Sequence, residues 1–266
     1  MMGGGSISYI MMRQSMLLLV LAVVLTSGTG TGAGGSWWRW GGESSSSSYC
    51  LSWRMGVEAN NIRAWRTVPD ECQRHVEAYI AAGQYQQDLA LTVGQVILAY
   101  VDAIAPSLPR DGFDAWILDV DDTCISNLRY YRGKRYGCDP FDPQGFKAWA
   151  SRAGCPAIPD VLRLFYELVR AGFKVFLVTG RDEETLGEAT LRNLHDQGFL
   201  GYHRLILRSS AYKGLGAAAY KSEMRKQLVG EGYRIWGNVG DQWSDLQGDC
   251  PGNRTFKLPN PIYFVP

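Results

Sequence analysis

A chain of 266 residues that is 46% apolar and 20% charged can bury one sizeable core, and its composition is neither that of a disordered segment nor that of a fibre. Its 27 Lys and Arg against 26 Asp and Glu leave a formal net charge of +1. No broad electrostatic field therefore selects nucleic acid or an anionic membrane as a partner.

The chain opens with a targeting pattern rather than a fold. Arg13 supplies a positive charge, residues 16–25 form an apolar run, and small residues follow over 27–35. This is the layout of a secretory signal peptide, assigned to residues 1–33 with the cut between 28 and 35. The run is shorter than the about 20 residues that a bilayer span needs, so a membrane anchor is the lesser reading. No later stretch reads as reaching transmembrane length, and the processed chain is expected to be soluble, with no membrane partner. Residues 34–48, which include WWRWGGESSSSS at 37–48, read as a flexible low-complexity segment. The folded domain is then 49–266. Secretion places Cys50, Cys72, Cys124, Cys138, Cys155 and Cys250 in an oxidising compartment, where an even number implies disulfides of undetermined pairing. No two are spaced CxxC and no His lies at zinc-ligand spacing, which argues against a zinc site. Asn253-Arg254-Thr255 is an N-glycosylation sequon.

From 71 to 105 the pattern is helical. Val76, Tyr79 and Ile80 share one face; Leu89, Val93, Val96, Ile97, Tyr100, Val101 and Ile104 share another, and Pro106 ends the run. Residues 49–110 thus form a helical extension. The texture then alternates: an apolar strand at 115–118 stopping at Asp119, a helix over 159–171, a strand over 174–178, a helix over 183–197. A strand at 204–207, a helix over 217–229 and a strand over 233–239 follow. Short apolar strands alternating with amphipathic helices predict an α/β fold, a parallel sheet between two helical layers. The interval 124–173 exceeds a plain crossover and holds Tyr130, Tyr131, Tyr136, Phe141, Phe146 and Trp149. It reads as a small lid inserted after the first catalytic strand. Those aromatics can line a pocket, although buried aromatics more often fill a core.

In open parallel sheets ligands bind beyond the carboxyl ends of the strands. The first strand ends in Asp119-Val120-Asp121-Asp122-Thr123, the second in Thr179-Gly180-Arg181-Asp182, and the last in Gly240-Asp241 with Asp245 close behind; Lys221 lies in the preceding helix. These types suit phosphoryl transfer. A carboxylate attacks a phosphate dianion only where cations offset the repulsion. Asp119 and Asp241, with Asp245, can hold a hard divalent ion, for which magnesium fits best. Asp119 then serves as nucleophile, Lys221 and Thr179 hold phosphoryl oxygens, and Asp121 moves the proton between leaving alcohol and water. Each signal alone is weak. DxDxT also occurs in calcium loops, a lone Lys221 is usually a solvated helix residue, and Arg181 can pair with Asp182 or Glu184. Lys213 is the lesser cationic candidate, and His75, His195 and His203 read as structural. The order of the signals is what carries the assignment. A receiver-type switch uses similar residues, but its domain is about half this length and has no reason to be secreted.

That ordered set resembles the haloacid dehalogenase superfamily of phosphohydrolases, and within it the plant acid phosphatases and vegetative storage proteins, related to class B bacterial acid phosphatases. The carrying segments are CLSWR at 50–54, EANN at 58–61, WILDVDDTCISN at 116–127, FKVFLVTGR at 173–181, YKS at 220–222, YRIWGNVGDQWSDL at 233–246 and RTFKLPNP at 254–261. The resemblance implies Asp119 as nucleophile and Asp121 as acid/base, its backbone carbonyl also reaching the metal. It implies phosphate contacts at Thr179, Gly180, Arg181 and Lys221, and metal contact at Asp241 with Asp245 nearby. A magnesium cofactor, small phosphomonoester substrates, acidic working pH and a vacuolar, cell-wall or extracellular location are implied likewise, with monomer and homodimer both left open. Members lacking the nucleophile act as nitrogen reserves, so a storage protein with little turnover is the alternative. Asp119 is present here. The chain departs from the family at Asp122, where Glu is common, and at Cys124, where an aliphatic residue is common; a disulfide at Cys124 would alter the entrance.

Overall fold

The computed structural model describes residues 46–266, with side chains from Ser48. The expected signal peptide, and the flexible segment as far as residue 45, lie outside the described residues. Helix α1 (Ser46–Glu58) begins inside the stretch expected to be flexible. A 3-10 turn (Asp70–Cys72) leads into α2 (Gln73–Ala81). The helical pattern then breaks at Gly83, whose φ of 98° is a conformation that only glycine adopts without strain.

The next helix runs as α3 (Gln84–Leu89), a π-helical stretch (Ala90–Ile97) and α4 (Leu98–Ile104). Leu89, Val93, Ile97 and Val101 are buried at a strict spacing of four. Such a spacing drifts off one line in an α-helix of 3.6 residues per turn, and the wider π turns restore it. The same winding moves Val96, expected on the buried face, to 37% exposure. One expectation needs correcting. The helix Gln84–Ser107 has 24 residues and mean hydropathy 1.6, long and apolar enough by length and composition to cross a membrane. The apolar residues on its outer side, Leu91 and Val96, raise that value, while its inner row belongs to the protein core.

Five parallel strands follow: β1 (Asp114–Asp119), β2 (Lys174–Asp182), β3 (Arg204–Arg208), β4 (Arg234–Gly240) and β5 (Arg254–Lys257). Their order is β3-β2-β1-β4-β5. β5, not expected as a strand, extends the sheet beyond β4. Central β1 is buried throughout. Trp116 and Leu118 enter the core shared with the helical extension, while Ala115 and Ile117 enter the opposite one, the two-residue alternation of a strand covered on both faces.

The β1–β2 crossover contains α5 (Leu128–Arg132), α6 (Pro143–Ala150) and α7 (Pro159–Arg170). Pro159 opens α7, Arg170 lies in its last turn and Gly172 with φ of 94° follows it, each suited to its end of a helix. Its inner stripe of Val161, Leu164, Phe165 and Leu168 is fully buried, worth about 1.5–3 kcal/mol per side chain before the entropy of ordering is counted. Helices α8 (Glu183–Asp196), α9 (Ala217–Gly230) and α10 (Trp243–Leu246) complete the layers.

One disulfide forms, Cys50–Cys72, joining α1 to the turn before α2. Cys124, Cys138 and Cys155 are buried free thiols and Cys250 is a partly exposed one. The expected set of bridges is thus reduced to one, and no disulfide forms at Cys124, because that side chain packs in the apolar core instead.

Candidate active site

The ends of β1, β2 and β4, with the N-terminal part of α9, enclose a cavity of about 340 Å³. Its floor holds Asp119, Asp121, Lys221, Asp241 and Asp245; Gly180 and Arg66 are on its wall, and Tyr131, Phe141, Phe146 and residues 263–266 line it further out. Residues at 119, 221, 241 and 245, distant in sequence, therefore share one chamber.

Lys221 is the pivot. It is 6% exposed, and its ammonium donates to Asp119 Oδ1 and, at 2.5 Å, to Asp245 Oδ1. Burial opposes its charge, but the two carboxylates hold its pKa above the ordinary lysine value. The other oxygen of Asp245 accepts from the Gln242 amide at 2.9 Å as half of a capping box on α10. A Cβ on Gly240 would lie 2.3 Å from Asp245 Oδ2, so the glycine before Asp241 makes room for that carboxylate.

Asp241 is held by four contacts. Its backbone N–H donates to Thr123 Oγ1 at 3.1 Å, and that hydroxyl donates to Asp241 Oδ1 at 3.3 Å, tying the β1 loop to the β4 loop. Oδ2 accepts from Gln242 Nε2 at 2.8 Å and Asn260 Nδ2 at 2.6 Å. Asn260 is in turn anchored by Glu58 at the end of α1, which accepts from the Asn260 and Lys257 nitrogens.

Asp119, Asp241 and Asp245 present oxygens within 4.8 Å of one another, all buried. Burial and then the two neighbouring carboxylates push the Asp119 pKa well above the ordinary value, against the pull of Lys221. Burial and Asp245 lift Asp241 to about 6. With all three ionised, three carboxylates against one ammonium leave two negative charges, and the donor set is all oxygen. A divalent cation matches both the charge and the chemistry. The group fits.

Asp121 faces a different environment. Arg181 grips it with Nε at 3.0 Å and one terminal nitrogen at 2.7 Å, Asn127 Nδ2 donates at 2.9 Å, and Thr179 Oγ1 donates at 3.4 Å. Burial alone would raise its pKa, but the Arg181 charge and these bonds bring it below the usual carboxylate value. The guanidinium also donates to Thr190 and touches Cys155 Sγ at 3.9 Å. Asp182, one of the two neighbours expected to pair with Arg181, instead caps α8 by accepting from the Thr185 amide at 2.9 Å.

Asp122, with φ of 53°, accepts from the Asn127 amide at 2.8 Å and from the Tyr263 hydroxyl at 2.8 Å. Burial and the neighbouring Asp241 push it to about 7. His203 meets the Tyr233 hydroxyl and His195 meets Asp196 at 3.6 Å, outside the cavity, and Lys213 is exposed away from it. Of the aromatics, Tyr131, Phe141 and Phe146 reach the cavity wall, whereas Tyr130 and Trp149 do not.

Asn127, Gln242, Asn260 and Tyr263 were not legible as site residues. Asn127, Gln242 and Asn260 lie inside the segments that carry the family resemblance, but nothing local distinguishes a positioning amide from any polar loop residue.

The sequence profile of the HAD (haloacid dehalogenase) superfamily, subfamily IIIB (acid phosphatase), matches residues 38–266. The chain belongs to this family. It is 44% identical over 216 residues to acid phosphatase 1 of Solanum lycopersicum, covering 81% of this chain and 83% of that one. It is 40% identical over 219 residues to vegetative storage protein 1 of Arabidopsis thaliana, covering 82% and 79%, and 40% identical over 227 residues to a stem 31 kDa glycoprotein of Glycine max, covering 84% and 86%. The fold is similar to that of a class C acid phosphatase from Bacillus anthracis, with a TM-score of 0.56 at 21% identity over 72% of this chain and 85% of the other. The α/β sheet and its two helical layers are thus those of the haloacid dehalogenase phosphatases.

Proposed function

We propose that this acid phosphatase family member hydrolyses phosphate monoesters at the cavity floor, with Asp119 as the attacking carboxylate. One observation carries the reading: Asp119, Asp241 and Asp245 present oxygens within 4.8 Å of one another, and one ammonium, that of Lys221, bonds Asp119 and Asp245. Asp119, Asp241 and Asp245 would hold magnesium, with the Asp121 backbone carbonyl as the resemblance implies, and the ion when bound supplies charge that offsets repulsion between carboxylate and phosphate dianion.

Lys221 neutralises phosphoryl charge beside Asp119, whose oxygen forms a bond to phosphorus as the ester oxygen departs. Gly180, exposed on the cavity wall, leaves the phosphoryl group room to approach the backbone. Asp121 gives a proton to the leaving alcohol and later takes one from the water that cleaves the aspartyl phosphate. Its ionised resting state suits the second step. The approach of a phosphate dianion raises its affinity for a proton and so prepares the first, since a like charge disfavours ionisation. Arg181 and Thr179 hold Asp121 in place.

The test is release of phosphate from 4-nitrophenyl phosphate and glycerol 2-phosphate with magnesium and with EDTA. Release is expected to need the metal and to fall at least about 10³-fold in Asp119→Asn, as for removal of a covalent nucleophile. Wild-type protein that releases no phosphate from either ester at any pH between 4 and 8 would leave the storage role that the vegetative storage protein relatives suggest. The glycoprotein and storage protein relatives support a secreted or vacuolar location, in keeping with the leader pattern. The exposed Asn253, immediately before edge strand β5, is the proposed glycan site.

A further inference from the structure

Asn127 is fully buried at the end of the segment that follows Asp121, and its side chain makes two kinds of bond. Its Nδ2 donates to Asp121 Oδ1 at 2.9 Å and to Asp122 Oδ2 at 3.2 Å. Its Oδ1 accepts from Trp149 Nε1 at 3.1 Å and from Cys155 Sγ at 3.4 Å. The orientation of the amide is fixed by its neighbours. An indole N–H only donates, so it must face the carbonyl oxygen, and the ionised Asp121 carboxylate only accepts, so it must face the nitrogen. A flipped amide would lose both sets of bonds. Trp149 belongs to α6 in the β1–β2 crossover, and Cys155 is pinned by two bonds between its backbone and the Asn193 side chain of α8.

We propose that Asn127 is the positioning residue for Asp121 and that Trp149, through its indole N–H, holds Asn127 in the orientation that aims Asp121 at the leaving oxygen. This rests on the reading of Asp121 as the proton carrier. Arg181 supplies the charge that keeps Asp121 ionised; Asn127, which donates to the same Oδ1 as the guanidinium, sets its direction. The arrangement makes α6 part of the proton-transfer apparatus, although Trp149 does not itself line the cavity. Its aim matters most for esters of weakly acidic alcohols, which cannot leave without a proton, and least for 4-nitrophenol, which leaves readily as an anion.

The experiment compares kcat/KM on glycerol 2-phosphate and on 4-nitrophenyl phosphate for wild type, Asn127→Ala, Trp149→Phe and Asp121→Asn, with thermal unfolding of each protein. Trp149→Phe keeps an aromatic ring and removes only the donor, so it remains informative if Asn127→Ala does not fold. Asn127→Ala is expected to lose about tenfold more on glycerol 2-phosphate than on 4-nitrophenyl phosphate, a fraction of the 10²–10⁴ that general acid catalysis supplies. Trp149→Phe is expected to lose in the same direction by a smaller ratio. Equal losses on both esters, or none, in folded Trp149→Phe and Asn127→Ala would overturn the proposal while Asp121→Asn still shows the split. If Asp121→Asn itself shows no split, the assignment of Asp121 as proton carrier fails, and this proposal with it.

Discussion

The carboxylates of the site differ in charge state because their neighbours differ. Asp121 is lowered by Arg181, which outweighs its burial. Asp122 is raised to about 7 by burial and Asp241, and Asp241 to about 6 by burial and Asp245. In the metal-free protein the two raised groups bind protons more tightly folded than unfolded, where their value is 3.8. Stability from them is therefore full below about pH 4 and is lost as pH rises through 6 and 7. The EDTA-treated protein is expected to melt at lower temperature at pH 7.5 than at pH 5. Magnesium should narrow or reverse that difference, because it stabilises the ionised carboxylates. Melting curves at the two pH values with and without the metal check this, and a metal-free melting temperature higher at pH 7.5 would contradict it.

At the scale of elements, the helical extension reaches the site by way of α1. Glu58 at its end fixes Asn260 and Lys257, and Trp243 Nε1 donates to the Glu58 carbonyl at 3.1 Å. Trp53 of α1 packs edge-on to Trp65 at 5.2 Å, which in turn meets Phe264 at 6.3 Å on the cavity wall. The Cys50–Cys72 bridge closes 22 residues of chain around this unit. Replacing both cysteines by serine is expected to lower stability by about 2–4 kcal/mol through the freed unfolded chain, measured by urea unfolding. Because Asn260 carries Asp241, the same variant should also need more magnesium for half-maximal activity. Unchanged unfolding and unchanged metal demand would show the extension to be uncoupled from the site.

For the molecule as a whole, the sheet centre is set by one large side chain against one absent one. Trp116 is fully buried in the core on one face of the sheet, stacks on Phe256 at 5.9 Å and meets Phe173 edge-on at 5.5 Å. A Cβ on Gly237 of β4 would lie 2.2 Å from its ring. Gly237→Ala is therefore expected to destabilise the protein by about 1–3 kcal/mol through overpacking of the core, seen as a lower melting temperature. Phosphate release by the folded fraction should change little, since no cavity residue is touched. A melting temperature equal to wild type would mean that the indole moves aside at no cost.

The sequence by itself determined the four strands β1 to β4, the helices α7, α8 and α9 and the places where Asp119, Lys221, Asp241 and Asp245 would stand. Apolar period and strand-end position are local properties, read from neighbours along the chain. The π winding of residues 90–97, the strand β5, the free state of four cysteines and the partnership of Arg181 with Asp121 were decided by the tertiary structure. Each of these depends on what lies opposite in space. A thiol opposite apolar side chains packs as one of them, and a guanidinium beside a buried carboxylate binds it in preference to a neighbour in sequence. Asn127 is the clearest case: four residues meet its amide, and only the fold brings Trp149 and Asp121 to opposite ends of it.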